Sequence, residues 1–353
     1  MNDRIVVGTL ENPYCKVRSQ LETLLQSHDS EDIDTSLSEE SDFDDALGRL
    51  SNGEVDVLAV SASELIGKEE QISMQGCLVI GAQTPRRPSL VLVSPDRLSY
   101  QPNSAIIVSE HEVVRRQLLR ARPDLSAISP ESFAEGGVHG AIPDSNEERA
   151  RWLGTILQRG EIDGFVISRA EYENSEQTER RHTLMPFPKE RGDPRFLPVP
   201  YSDLVAILAR PGLPNTIAEW ITEPEGNTAL WVQSRLLNEM DEALHGVIGM
   251  QVRHRQVGAL LRQAEDTRDL VLRQACHNPE GEIIEDEVRV EVKIETISAD
   301  GRRTLSLERL VSYSDYQHAV ITLLRDWDAL MLESFRIVPK DHPSDEDAPP
   351  FIY

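Results

Sequence analysis

The run Cys276-His277-Asn278-Pro279-Glu280-Gly281 places a thiol just before a turn, as an enzyme would hold a covalently attached group. The same residues also read as a strand ending at Cys276 and a Pro-Glu-Gly hairpin turn. A second set is basic. Arg115, Arg116, Arg120 and Arg122 fall in one helical run, and guanidinium groups suit carboxylate or phosphate ligands, although a solvated helix face has the same pattern. His111, His139 and His245 have no carboxylate or metal spacing around them and read as surface or loop residues, so no metal site is expected. Cys15, Cys77 and Cys276 are an odd set without ligand spacing, which suits free thiols in a cytoplasmic protein.

The elements that must position these groups fit a chain of 353 residues, 39% hydrophobic and 27% charged, long enough for two or three cored domains. A formal charge of −25 repels phosphate backbones and argues against a nucleic-acid partner. No window approaches ~18 uninterrupted apolar residues, so no membrane partner is expected. The opening "MNDRIVVGTL" lacks the cationic-then-apolar pattern of a secretory signal. Lysine occurs only at Lys16, Lys68, Lys189, Lys293 and Lys340, so an acidic ligand would need the arginines gathered locally.

A near-repeat organises the chain. "NGEVDVLAVS" and "RGEIDGFVIS" share Gly-Glu-aliphatic-Asp, then an apolar run ending in serine, and each follows a helical pattern. Two such αβ steps, about a hundred residues apart, predict two similar α/β domains. "RIVVGT" reads as an opening strand feeding a helix with Pro13 at its start. "CLVIGAQ" and "SLVLVS" flank a turn, and "HEVVRRQLLRARPD" is a helix that Pro123 terminates. "LVAILAR", set between prolines, suggests that the chain crosses back to the first domain. After Gly212 an amphipathic section leads into predicted strands "MQVRHRQV", "DLVLRQAC" and "EVRVEVKIETIS", a hairpin into "TLSLERLVS", and a closing helix capped by Ser314. The acidic run "HDSEDIDTSLSEESDFDD" reads as an exposed loop. The expected fold is α/β in three domains, two of them similar to each other and the third a small C-terminal α+β domain. Their ranges are 1–100 with 197–212, 101–196 and 213–339, followed by a loose tail at 340–353.

In order and spacing these segments resemble the porphobilinogen deaminase (hydroxymethylbilane synthase) family. The match rests on "RIVVGTLENPYCKVRSQLETLL", "GEVDVLAVSASEL", "GCLVIGAQTPRRPSLVLVS", "VVRRQLLRARPDL", "RGEIDGFVISRAEY" and "RFLPVPYSDLVAILAR". The resemblance implies that the two similar domains are periplasmic-binding-protein-like, and it implies a transferase of tetrapyrrole and heme biosynthesis that joins four porphobilinogen units on a cysteine-linked dipyrromethane cofactor. Glu64 then matches the family's catalytic aspartate, and Arg115 with Arg116 matches its anion-binding pair. Thr9 and Ser61, kept in the matching segments, are carried over as further cofactor contacts.

Departures fall on the chemistry: Val60, Ser63 and Leu10 stand where the family has histidine, lysine and arginine. Two alignments of the attachment cysteine stay open. One uses Cys276. The other places Leu244 at that position, keeps more of the family's spacing and excludes a thioether. The alternative to the enzyme is a non-catalytic monomer that binds a small anionic, porphobilinogen-like ligand between its domains or serves as an interaction module.

Overall fold

The computed structural model describes residues 4–12, 15–27, 34–84, 89–136, 141–175, 177–187, 194–278 and 280–334. Pro13, His139, Pro279 and the tail 340–353 lie outside them. Lobe 1 contains β1 (Ile5–Leu10), α1 (Val17–Ser27), β2 (Thr35–Glu40), α2 (Phe43–Asn52), β3 (Val57–Ser61), α3 (Glu69–Met74) and β4 (Leu78–Gln83). Lobe 2 begins with β5 (Leu90–Val93), β6 (Ile106–Ser109), α4 (Glu112–Ala121), β7 (Ser126–Ile128) and α5 (Pro130–Glu135). It continues with α6 (Asn146–Gln158), β8 (Gly164–Ser168), α7 (Arg169–Asn174) and β9 (Arg181–Thr183). The chain then returns to lobe 1 through β10 (Val205–Ala209), followed by α8 (Asn215–Ile221). The third domain holds α9 (Pro224–Glu239), β11 (Ile248–Gln256), α10 (Val257–Thr267), α11 (Leu270–Gln274), β12 (Val288–Ile297), β13 (Thr304–Ser312) and α12 (Tyr316–Ser334).

The two main sheets run β2-β1-β3-β10-β4 and β7-β6-β8-β5-β9. In each, three neighbouring strands are parallel, and the fourth runs antiparallel after crossing from the other lobe. The fold is therefore α/β with two like lobes of periplasmic-binding-protein type and a small third sheet, β11-β12-β13. β3, β8 and β10 are buried along their whole length, the expected state of strands in sheets covered on both faces.

The sequence repeat has a physical cause in this topology. Gly53 and Gly160 end α2 and α6 in the left-handed region, at φ 81° and 71°, where glycine has no Cβ penalty. Three residues later an aspartate caps the neighbouring strand. Asp56 Oδ2 accepts from Val6 N at 2.9 Å, and Asp163 Oδ2 accepts from Ile106 N at 2.8 Å. Their own amides donate back to Val6 O and Ile106 O at 2.9 and 3.0 Å. Each pair fixes the register of one αβ step.

The third domain is joined to the lobes in two different ways. One apolar core runs from Phe43 and Leu47 of lobe 1 through Met250 and Val292 to Trp327, which is 1% exposed. Toward lobe 2 the joint is polar. Glu295 of β12, fully buried, accepts from Arg120 at 2.9 Å, Arg195 at 2.8 Å and Gln117 at 3.2 Å.

Several expectations are corrected. β4 and β5 do not pair with each other, because each pairs within its own lobe; β5, inside the expected range 1–100 of the first domain, belongs to the lobe 2 sheet. Residues 35–40 of the acidic run are not loop but an edge strand parallel to β1. "DLVLRQAC" is not a strand. Asp269 accepts from Leu272 N at 2.9 Å and starts the short helix α11. Leu272 and Cys276, four residues apart, pack into the same small cluster, which is a helical and not an alternating period.

Candidate functional site

In open α/β sheets ligands sit at the carboxyl ends of the strands. On lobe 1 those ends are β1, followed by Glu11, Asn12 and Lys16, and β3, followed by the turn that carries Ser63 and Glu64. Ser61 and Ser63 share a hydroxyl hydrogen bond of 2.8 Å. Glu64 is half-buried, accepts from Asn12 Nδ2 at 2.8 Å and pairs with Lys68 Nζ at 3.3 Å. This edge offers hydroxyl and carboxylate contacts but places no base on either hydroxyl. Thr9 is fully buried and donates to Ser38 O at 3.2 Å, which makes it a tie between β1 and β2 and not a contact surface.

On lobe 2 the corresponding ends are β6, followed by Glu110 and His111, and β8, followed by Arg169. Arg149 pairs with Glu110. Burial lowers the pKa of His111, which favours its neutral form. Glu171 sits in a capping box with Ser168; burial pushes its carboxyl up to about 7, against the hydrogen bonds from Ser168 that favour the charged form. The Ser109 hydroxyl is buried and has no hydrogen-bond partner among the described residues. The two edges meet where Lys16 Nζ, after β1, lies 3.3 Å from Glu173 Oε2 on α7.

The arginine pair is divided by the fold. Arg115 Nη1 donates to Ser109 O and Glu110 O, both at 2.7 Å, and its other terminal nitrogen pairs with Glu112, so it braces the β6–α4 turn. Arg116 is 3% exposed; it donates to Glu112 Oε1 and to Ile297 O, each at 2.8 Å. It is a strut into the third domain, and the expected anion-binding pair is not a pair in space.

The attachment chemistry has no open sulfur. Leu244 is a buried core residue with no thiol. Cys276 is fully buried beside Val257 and Leu260, and its thiol donates to Leu272 O at 3.3 Å. Burial also pushes the Cys276 thiol up, which disfavours the reactive thiolate. A dipyrromethane joined to this sulfur would need the cluster to open, so these residues do not fit that cofactor.

Sequence reasoning missed Ser109, Glu110, Glu171 and the Lys16–Glu173 contact, while His111, read as surface or loop, lies in the β6–α4 connection. The available signal was a serine that closes an apolar strand run and is followed by a charged residue, as in "AIIVSE" and "GFVISR". Among the described residues, no group of histidine, cysteine, aspartate and glutamate could hold a metal ion. No helix among them is long and apolar enough to cross a membrane.

No protein-family model and no curated protein matches this chain. Among solved structures it is similar to lipoprotein Tp32 from Treponema pallidum (14% identity, TM-score 0.32, covering 67% of this chain and 96% of that one). It is also similar to a periplasmic substrate-binding protein of an ABC transporter from Coxiella burnetii (15%, TM-score 0.33, 65% and 95%). A third is the regulatory domain of OxyR2 from Vibrio vulnificus (15%, TM-score 0.32, 63% and 95%). The expected membership of the porphobilinogen deaminases, with its place in tetrapyrrole and heme biosynthesis, is corrected: no family model supports it, and the similar structures are a lipoprotein, a periplasmic substrate-binding protein and a regulatory domain.

Proposed function

We propose that the chain is a two-lobed binding protein that takes a small polar molecule between the carboxyl edges of its main sheets. The observation that carries this reading is the approach of the two edges at Lys16 and Glu173, 3.3 Å apart, from lobes of one topology joined by crossing segments. The pair is 29% and 38% exposed, and such contacts contribute only about 0.5 kcal/mol. It does not lock the lobes, which leaves hinge closure around a ligand open to the molecule. Glu64, Glu110 and Glu173 face Lys16, Lys68, Arg149 and Arg169 around this edge. Mixed charge of that kind, in which each glutamate already pairs with a cation, supports a neutral, zwitterionic or monoanionic ligand over a polycarboxylate, which would compete with those glutamates for the same cations. The reading takes the protein as a monomer in a reducing compartment, and its three unpaired, buried cysteines support the latter.

The test is a panel of small monocarboxylates, zwitterions and neutral polar compounds, scored by thermal shift and by small-angle scattering on the full chain. At least one compound should raise the melting temperature and reduce the radius of gyration, and a Lys16→Ala, Arg169→Ala double variant should lose both responses. Binding without compaction, or compaction that survives the double variant, overturns the reading.

A further inference from the structure

A cavity of about 260 Å³ lies between the lobe-crossing segments and the third domain, and its Asp203 adjoins the Arg169 and Glu173 side of the strand edges. It is larger than the ~150 Å³ that holds a benzene molecule. Its apolar walls include Leu90, Leu184, Phe187, Phe196 and Met250. Two polar groups on its wall lack partners among the described residues. The Ser89 hydroxyl belongs to a residue only 8% exposed and has no hydrogen bond, and the Gln251 side-chain oxygen is likewise buried and unbonded. The half-buried Asp203 carboxylate beside them has no hydrogen bond or ion pair among the described residues, although the Arg169 charge acts on it. Buried polar groups are almost always satisfied, so two in one cavity, next to a carboxylate, point to an occupant.

Charge narrows its chemistry. Arg253 lines the cavity, but its guanidinium pairs with Glu291 and stacks over the Phe187 ring at 4.7 Å, so its charge is already answered. Asp203 remains on the wall, whereas Glu225 Oε1 already accepts from His254 N at 2.9 Å, in a chain of net charge −25. Asp203 is held firmly in place. It and Tyr201 both adopt the left-handed region, at φ 55° and 63°, which packing must impose on residues other than glycine. Gln20 fixes the Asp203 carbonyl at 3.3 Å, and Tyr201 N donates to Gln233 Oε1 at 2.6 Å.

We propose that this cavity binds a compact primary amine with an aromatic body, the ammonium held by Asp203, Gln251 and Ser89 and the ring by Phe187, Phe196 and Met250. The groups around Asp203 are Arg169 and Glu173 on α7, Cys15 and Gln20 on the lobe 1 side, and Arg253 and Glu225 across the cavity. Burial pushes its carboxyl up to about 7, so an ammonium ligand gains its counter-ion as pH rises through neutrality. Affinity should increase about tenfold from about pH 6 to about pH 8, as the ionised fraction rises.

The probe is 2-phenylethylamine, titrated calorimetrically into the full chain, with phenylacetate as the counterpart of like size and opposite charge. The amine should bind more tightly at the higher pH, and phenylacetate should not bind. Asp203→Asn should weaken binding at least tenfold and abolish the pH dependence. Ala229→Leu, which fills the cavity from α9, should block it and serves as the second variant if the first is poorly folded. Equal binding of the two probes, amine affinity unchanged in either folded variant, or no binding of the amine overturns the assignment. Lobe closure plays no part in these readouts, so the cleft reading stands or falls separately.

Discussion

Replacing Glu295 by glutamine should loosen the joint between lobe 2 and the third domain. The carboxylate is 0% exposed and receives Arg120 at 2.9 Å, Arg195 at 2.8 Å and Gln117 at 3.2 Å. Glutamine keeps the shape but removes the charge, which strands two guanidinium groups beside a neutral amide. Breaking one partner out of a buried pair costs 3–5 kcal/mol in general, and about 3 is expected because both arginines keep some contact with water. Their side chains are 20% and 27% exposed. That loss is a large share of the roughly 5–15 kcal/mol that holds a folded domain. Urea unfolding followed by circular dichroism measures it. Glu308→Gln, whose carboxylate is 50% exposed and pairs with Lys293, is the control and should lose under about 0.5 kcal/mol. A Glu295→Gln loss below about 1 kcal/mol would refute the reasoning, because the carboxylate would then be no more desolvated than a surface group.

Three further outcomes follow from single contacts. Asp56→Ala and Asp163→Ala should each cost about 1–2 kcal/mol and should match one another, since both carboxylates cap the neighbouring strand's amide; a large inequality in their urea midpoints would break the equivalence of the two lobes. The Glu171 carboxyl has a folded value raised to about 7, above its ordinary range, so the folded state binds the extra proton between about 4.5 and 7 and the wild type should lose stability as pH rises through that window. Glu171→Gln should remove on the order of 3 kcal/mol of that decline, read as a flatter plot of unfolding free energy against pH. Intact mass should equal that of the unmodified chain, and Cys15, Cys77 and Cys276 should react with a thiol reagent only at the rate of opening; fast labelling of Cys276 in the native state would contradict its burial.

Much of the secondary structure was legible because it is local. The Gly-Glu-aliphatic-Asp repeat encodes a helix stop, a strand and a capping carboxylate within eleven residues or so, and periodicity marked α4, α6 and α12. The exchange of strands between lobes was half legible: the return of β10 to lobe 1 was expected from its place in the chain. The crossing of β5 was not, because it is apolar throughout and such a strand has no face that identifies the sheet it joins. α11 was misread for a related reason, since five residues are too few for period two and period 3.6 to separate.

The sequence by itself determined two like α/β units, a third antiparallel unit and a set of reactive residue types. Only the tertiary structure decided which of those residues face a ligand. It turned Arg116 into a strut on Ile297, enclosed Cys276 in a small core, and left Ser89 and Gln251 with atoms unpartnered among the described residues beside one cavity. The reason is physical: whether a polar group is available for function depends on which partners it lacks after folding, and those partners come from elements far away in the chain.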